Sequence, residues 1–379
     1  MKVLIALDSF KGSLSSEMAG NAAKEGVLRV FPDAEISVLS IADGGEGTVR
    51  ALCSAADGEI RQAMVQDPLG RSILAEYGVL PDGTAVIEMA AASGITLVSP
   101  KERNPLYTST YGTGQLIRTA INDGCRKFII GIGGSATNDG GAGMLEALGF
   151  ALLDERGRII PRGAIGLSLL KRIDREKAMP ALGECEFNIA CDVKNPLCGE
   201  NGASAVFGPQ KGASEEMVKD MDGWLKGYAD LCSELYGKDY STHPGAGAAG
   251  GLGFAFLTFL DGRLRPGIEL VTEALSLEDR VKDADIVLTG EGRLDGQSVM
   301  GKAPVGVASI AKRYGKAVFG LSGCVTDDAR LLNDHGIDAF FPILKAPCSV
   351  MDAMNEETAY KNLSDTAEQL FRVVKIMKI

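Results

Sequence analysis

Short apolar runs, each closed by an acid or a glycine-rich turn, recur along the chain, and their spacing predicts alternating strands and helices. Residues 3–7 (VLIAL) form such a run, end at Asp8 and read as a buried parallel strand. The loop DSFKGSLSS and a helical pattern over 17–31 follow. A second strand at 36–41 ends in ADGGEG, with a helix over 48–55 after it. This β-loop-α-β-loop-α order is the opening of a doubly wound sheet. From Ile60 the rhythm changes. Shorter strands at 60–65, 73–80 and 85–89 are joined by turns at Pro68-Leu69-Gly70 and Pro81-Asp82-Gly83, which suits antiparallel or mixed pairing. A helix after Gly112, a strand at 127–132, a helix over 142–148, a strand at 187–191 and an amphipathic helix over 215–236 complete this middle stretch. The α/β rhythm resumes at Asp285, with strands at 286–289, 317–321 and 339–341 and helices over 305–314 and 357–376.

The two ends are therefore alike and the middle differs. The expected fold is α/β with two domains. A discontinuous doubly wound parallel sheet spans 1–65 and 281–379. A mixed-sheet α/β domain spanning 66–280 is inserted into it. Length agrees, since 379 residues exceed one ordinary core. The longest apolar stretch, 245–260, is glycine-rich and too short to span a bilayer comfortably, so it reads as a buried helix. Its GxGxxG pattern follows polar STHP rather than a strand and reads as close packing.

Charge and composition narrow the chemistry. A net charge of −11 argues against nucleic-acid and membrane-surface partners. The N-terminus lacks a signal-peptide apolar region, so the expected location is cytoplasmic. The eight cysteines form no CxxC pair and read as reduced thiols. His243 and His335 are the only histidines, which leaves little for His-based zinc sites or Ser-His-Asp hydrolysis.

Polar residues gather where predicted strands end, the edge that forms the ligand crevice of open α/β sheets. Asp8, Ser9, Lys11 and Ser13 lie between a strand and a helix; the ordinary alternative is a helix cap by Ser13 or Ser15. Asp43 and Glu46 flank Gly44-Gly45 at the second strand end. Residues 131–141, GIGGSATNDGG, place Gly133, Gly134, Ser135, Thr137 and Asn138 before a helix, a setting in which backbone N–H groups hold phosphate. Gly131 to Ala136 also fits a GxGxxA dinucleotide pattern, with Asp154 further on. Asp192 ends a strand in ACDVKNPLCG, as a general base or Mg²⁺ ligand, or else as an Asx turn before Pro196. The segment TGEGRLDGQSVMGKAPVG, 289–306, collects Glu291, Arg293, Asp295 and Lys302. Its GxxxxGK run continues with Ala303 instead of Ser or Thr, so it is not a Walker A loop but an anion-binding loop with Pro304 in the first helical turn.

Glycine-rich anion loops, carboxylates, a few cations and almost no histidine point to phosphoryl transfer, which needs positioning, Mg²⁺ and N–H groups on phosphates. The segments DSFKGS, ADGGEGT, NPLYTSTYGTGQLI, GIGGSATNDGGAGMLEALG, ACDVKNPLCG, GAGAAGGLGF and TGEGRLDGQSVMGKAP resemble, in order and from end to end, the type I glycerate kinase family. The resemblance implies a Rossmann-like or flavodoxin-like domain from both termini with a distinct mixed-sheet domain between, ATP as co-substrate, Mg²⁺ as cofactor and D-glycerate as acceptor, with 2-phosphoglycerate as the usual product. No residue read here chooses the 2- over the 3-hydroxyl. From loop placement, Asp192 is expected nearest the reacting hydroxyl, with Lys11 on a phosphate or carboxylate. Glu291 and Asp295 are expected on Mg²⁺, and Gly133, Gly134, Ser135, Thr137 and Asn138 around ATP phosphates. Asp8, Ser9, Asp43, Glu46, Asn104, Arg293 and Lys302 are expected to bind substrate. The chain is expected as a monomer or homodimer. An NAD-dependent hydroxy-acid dehydrogenase, a 3-phosphoglycerate-forming kinase and a non-catalytic anion sensor are the alternative readings.

Overall fold

A computed structural model of the chain describes residues 1–42, 44–300 and 302–377. In chain order the strands are β1 (Lys2–Leu7), β2 (Glu35–Ser40), β3 (Glu59–Gln66), β4 (Ser72–Val79), β5 (Thr84–Glu88), β6 (Lys127–Gly131), β7 (Ala151–Leu153), β8 (Arg172–Asp174), β9 (Glu186–Ala190), β10 (Arg263–Arg265), β11 (Ile286–Leu294), β12 (Ala317–Val325) and β13 (Ala339–Pro342). They divide between two compact units. The first comprises Met1–Asp43, Ser54–Ala56 and Ile268–Ile379; the second comprises Gly44–Cys53 and Asp57–Gly267.

The first unit holds a parallel sheet in the order β13-β12-β11-β1-β2. Counted within the unit, that is the 2-1-3-4-5 order of flavodoxin-like sheets, whose direction of winding reverses between β1 and β11. The run 3–7 is buried along its whole length, as a strand covered on both faces must be. Helix Ser16–Leu28 starts at Ser15, whose Oγ accepts from Met18 N at 3.2 Å, so Ser15 and not Ser13 is the cap. Its face of Ala19, Ala22, Ala23 and Val27 packs on the terminal helix Glu356–Met377. That helix returns Leu363, Ala367, Leu370, Phe371 and Val374 at helical spacing.

One feature of this sheet shapes the site. Pairing of β11 with β1 stops at Leu7↔Gly290, whereas pairing with β12 runs on to Leu294↔Val325. The sequence places a loop after Thr289; the backbone instead stays extended through Leu294, because β12 supplies hydrogen-bond partners on that side. Glu291 and Arg293 are consequently strand residues beside the open end of β1.

The second unit holds a mixed sheet, β10-β9-β6-β5-β4-β3. β3, β4 and β5 form an antiparallel meander, while β5, β6, β9 and β10 are parallel. β3 pairs with β4 from Glu59↔Val79 to Gln66↔Ser72, so the segment assigned by sequence to the end of the first domain belongs to this sheet. The chain crosses between units at 43/44, 53/54, 56/57 and 267/268, whereas the sequence reading placed the boundaries near 65 and 280. Periodicity marks where strands lie but not which sheet they join. Helix Ala248–Phe259 is buried as expected. Its start is kinked by Ala249, Gly250 and Gly251 at positive φ, and Gly250 O accepts from Gly140 N at 2.9 Å. The three-residue strands β7, β8 and β10 carry no periodic signature and were not expected. Among the described residues no helix is long and apolar enough to cross a membrane.

Candidate active site

In the first unit a cavity of 480 Å³ opens at the C-terminal ends of β1 and β11, the point where the winding reverses. Asp8, Ser9, Lys11, Glu291, Arg293, Asp295 and Lys302, seven of the residues singled out by sequence, line it together. Their placement has a local cause. Phe10 N and Leu14 N exchange bonds with Leu14 O and Phe10 O, and Gly12 takes φ +80°, so Lys11 and Gly12 form the tip of a tight turn. The turn lies against Gly292, where a Cβ would come within 3.3 Å of Phe10 Cα. Asp8 is buried, and its Oδ1 accepts from Ser9 N at 2.6 Å. Ser13 Oγ is buried and has no hydrogen-bond partner among the described residues, although Ser13 belongs to the lining.

The acids and bases here are ordered by one another. Glu291 Oε1 accepts from Ser298 Oγ at 2.6 Å, and Oε2 lies 3.7 Å from Lys302 Nζ. Asp295 Oδ2 pairs with Arg293 Nε at 3.1 Å, and Oδ1 accepts from Gln297 N at 2.9 Å. Lys302 occupies the N-cap position of helix Ala303–Arg313, with Pro304 in its first turn. Carboxylate oxygens are the hard donors that Mg²⁺ takes. Among the described residues no three His, Cys, Asp or Glu side chains group as a ligand set. The fit is therefore to an ion held by one or two of these carboxylates and completed by water and phosphate, which is the common Mg²⁺ arrangement.

The second unit carries Glu46, and it carries Gly133, Gly134 and Asp192 in the loops that follow the C-terminal ends of β6 and β9. Gly44, at φ +88°, rests on β9: a Cβ there would lie 2.5 Å from Ala190 Cβ and 3.0 Å from Gly267 Cα. Gly45 Cα is the nearest neighbour to a Cβ built on Gly133. Asp192 is exposed, and its Oδ1 accepts from Gly267 N at 3.0 Å. Glu46 is exposed beside Glu88, which sequence reasoning missed. Glu88 closes β5 and accepts from Val49 N at 2.8 Å at the start of helix Thr48–Ala55. Burial pushes its carboxyl up, against the lowering effect of the Val49 and Gly47 N–H groups. Asp43 lies outside the described residues.

Loop 133–139 differs from expectation. Gly133 and Gly134 present exposed backbone, but Ser135, Thr137 and Asn138 are buried, the last two completely. Asn138 Nδ2 donates to Ser204 Oγ at 2.9 Å. The side chains of Thr137 and Asn138 are thus turned into the protein and are not surface ligands for a phosphate. What holds them there is a buried pair of charged residues. Asp139 accepts from Thr110 N at 2.8 Å, Thr110 Oγ1 at 2.9 Å, Gly141 N at 3.2 Å and Gly143 N at 3.3 Å. Lys211 Nζ donates to Thr137 O at 2.6 Å. Burial raises the Asp139 pKa, and burial draws Lys211 down to about 7 although Asp139 opposes it. Nothing in GPQKGAS marks Lys211 as buried. Asn104 closes an Asx turn, its Oδ1 accepting from Leu106 N at 3.0 Å. The dinucleotide reading finds no support. Asp154 is bound to Arg158, and the helix after Gly131 begins only at Ala142.

Residues 3–375 match the model of the Glycerate kinase family. A Haemophilus influenzae protein named glycerate kinase is 48% identical over 375 residues, 99% of each chain. An Escherichia coli K12 protein named glycerate 2-kinase is 47% identical, covering 99% of this chain and 98% of its own. The solved structure of a candidate glycerate kinase 2 from Salmonella typhimurium LT2 superimposes with a TM-score of 0.92. It is 47% identical and covers 100% of this chain and 99% of its own.

Proposed function

The chain belongs to the glycerate kinase family, and from that premise we propose that it transfers the terminal phosphoryl group of ATP, with Mg²⁺, to the 2-hydroxyl of D-glycerate, giving 2-phosphoglycerate and ADP. The observation that carries this reading is the end-to-end likeness to a relative named glycerate 2-kinase, in a chain that sets Lys11, Arg293 and Lys302 among three carboxylates in one cavity. Such a reaction asks the protein chiefly to position reactants and offset charge. Lys11 holds a phosphate or the acid's carboxylate. Arg293 and Lys302 pair with further anionic oxygens, Arg293 through two N–H groups where the geometry allows. Gly133 and Gly134 offer backbone N–H groups to an anion; Ser135, Thr137 and Asn138 support that loop from beneath. Glu46, in the unit that carries Asp192, contacts the small substrate, while Asp8 and Ser9 flank Lys11 in the first-unit cavity.

Asp192 takes the place beside the acceptor hydroxyl and accepts its proton as the oxygen attacks. One of its oxygens is fixed by Gly267 N, so the carboxylate is oriented before substrate arrives. Glu291 and Asp295 hold Mg²⁺ directly or through water. Bound there, the ion offsets the charge of the phosphates. The reaction belongs in the cytoplasm, where ATP is supplied. The test is to incubate the protein with Mg-ATP and D-glycerate and identify the product by phosphorus NMR. ADP with 2-phosphoglycerate is expected. The 3-phospho isomer would move the acceptor, and an absence of any phosphoglycerate would sink the reading.

A further inference from the structure

The first-unit cavity is larger and more apolar than a three-carbon acid requires. Its volume of 480 Å³ falls within the range of about 300–1,000 Å³ that holds drug-sized ligands. Glycerate carries a polar group on every carbon and has no apolar face to bury. Yet one wall of the cavity is made of Leu344, Val350 and Met354, over the buried Ile343 and Phe10. Those three side chains are 37%, 75% and 41% exposed. Uncovered apolar side chains beside a charged cavity mark a surface that something planar or apolar covers. Met354 also reaches over Gly12, occupying the space a Cβ would need, so the wall adjoins the turn that carries Lys11. The lining thus combines an apolar wall with a polar part in which Lys11, Arg293 and Lys302 stand among the carboxylates of Asp8, Glu291 and Asp295, and where Ser13 Oγ has no hydrogen-bond partner among the described residues.

Resting on the kinase reading above, we propose that this cavity is the nucleotide site: the base of ATP lies on the wall of Leu344, Val350 and Met354, and its phosphates run to Lys11, Arg293 and Lys302. A nucleoside triphosphate is the member of the substrate pair that has both an apolar ring face and several negative charges. The small acid has only the charge. This assignment moves the nucleotide away from loop 133–138, where sequence placed it, and reserves that loop and Asp192 for the acceptor.

Cys324 and Cys348 are exposed and line the same cavity, so the unaltered protein reports on its own occupancy. Alkylation by iodoacetamide, followed residue by residue by peptide mass spectrometry, is compared with no addition, ATP, ADP, adenosine, inorganic tripolyphosphate and D-glycerate. With ATP at about ten times its Kd, the labelling rate of Cys348 should fall about tenfold, because only unliganded protein reacts. ADP and, at higher concentration, adenosine should also protect; D-glycerate alone should not. Protection by glycerate without ATP, no protection by ATP, or equal affinity for tripolyphosphate and ATP would each overturn the assignment. A second measurement uses Val350→Asp, a change on an exposed side chain. Placing a carboxylate against the base should raise the KM for ATP by about tenfold or more and that for glycerate by less than about twofold; a rise in the glycerate KM alone would contradict it. Labelling needs no turnover. A protein that ATP protects but that makes no phosphoglycerate would therefore reject the reaction and keep the nucleotide site, whereas turnover without ATP protection would do the reverse.

Discussion

Asp192 and Lys211 show two ways in which one charged residue serves an α/β enzyme. Asp192 stands exposed at the end of a strand, with one oxygen held by Gly267 N. Asp192→Asn keeps that acceptor but cannot take a proton. We expect kcat to fall by about 10²–10⁴-fold with little change in the unfolding midpoint; turnover near that of the unaltered protein, measured by coupled ADP release, would remove Asp192 from the chemistry. Lys211 works from beneath, donating to Thr137 O in a site from which water is excluded. Its pKa falls from the usual 10.5 to about 7 on folding. The unfolded chain then binds more protons between those values, so this group makes stability rise with pH across about pH 7 to 10, by up to about 1.4 kcal/mol per pH unit. Below pH 7 both states are protonated and the slope vanishes. Urea midpoints measured at pH 7, 8 and 9 should therefore climb less steeply in Lys211→Met than in the parent; parallel curves would mean that Lys211 does not titrate there.

Among the elements, loop 133–140 owes its shape to neighbours remote in sequence. Asp139 ties it to Thr110, and Gly250, at φ +67°, lets the kinked start of helix Ala248–Phe259 touch it. A Cβ on Gly250 would collide with the Thr137 carbonyl and lie 2.5 Å from Asn138 Cα. Gly250→Ala should thus cost about 2–5 kcal/mol, from backbone strain and overpacking together, measured by urea unfolding. An unchanged midpoint would show that the kink is not required. The same logic holds for β11. Its extension past β1 depends on β12, and it turns what reads as a loop into a rigid support for Glu291 and Arg293.

The whole chain is two units, each with its own buried cluster. Leu288, on β11, lies in the cluster of the first unit; Ile130, on β6, lies in that of the second. Both are fully buried. Truncating either to alanine should cost about 2–5 kcal/mol, the usual loss when a large aliphatic side chain leaves a cavity behind. A shift in urea midpoint equivalent to less than about 1 kcal/mol at both sites would contradict the core assignment. At this scale the net charge of −11 also matters, because anionic substrates approach a like-charged molecule and depend on local cations such as Lys11, Arg293 and Lys302.

Sequence by itself determined the strands and helices with clear periodicity, the α/β class, the family, and the crowding of Asp8, Lys11, Glu291 and Lys302 at strand ends. Apolar alternation and turn chemistry are local properties, and a parallel sheet aligns the C-terminal ends of its strands automatically. Tertiary structure alone decided that β3 joins the second sheet, that Thr137 and Asn138 face inward, that Asn104 closes its own turn, and that an apolar wall from residues 343–354 completes the cavity of Lys11. Each of these depends on which distant segment supplies a hydrogen-bond partner or excludes water, and no local pattern of residues carries that information.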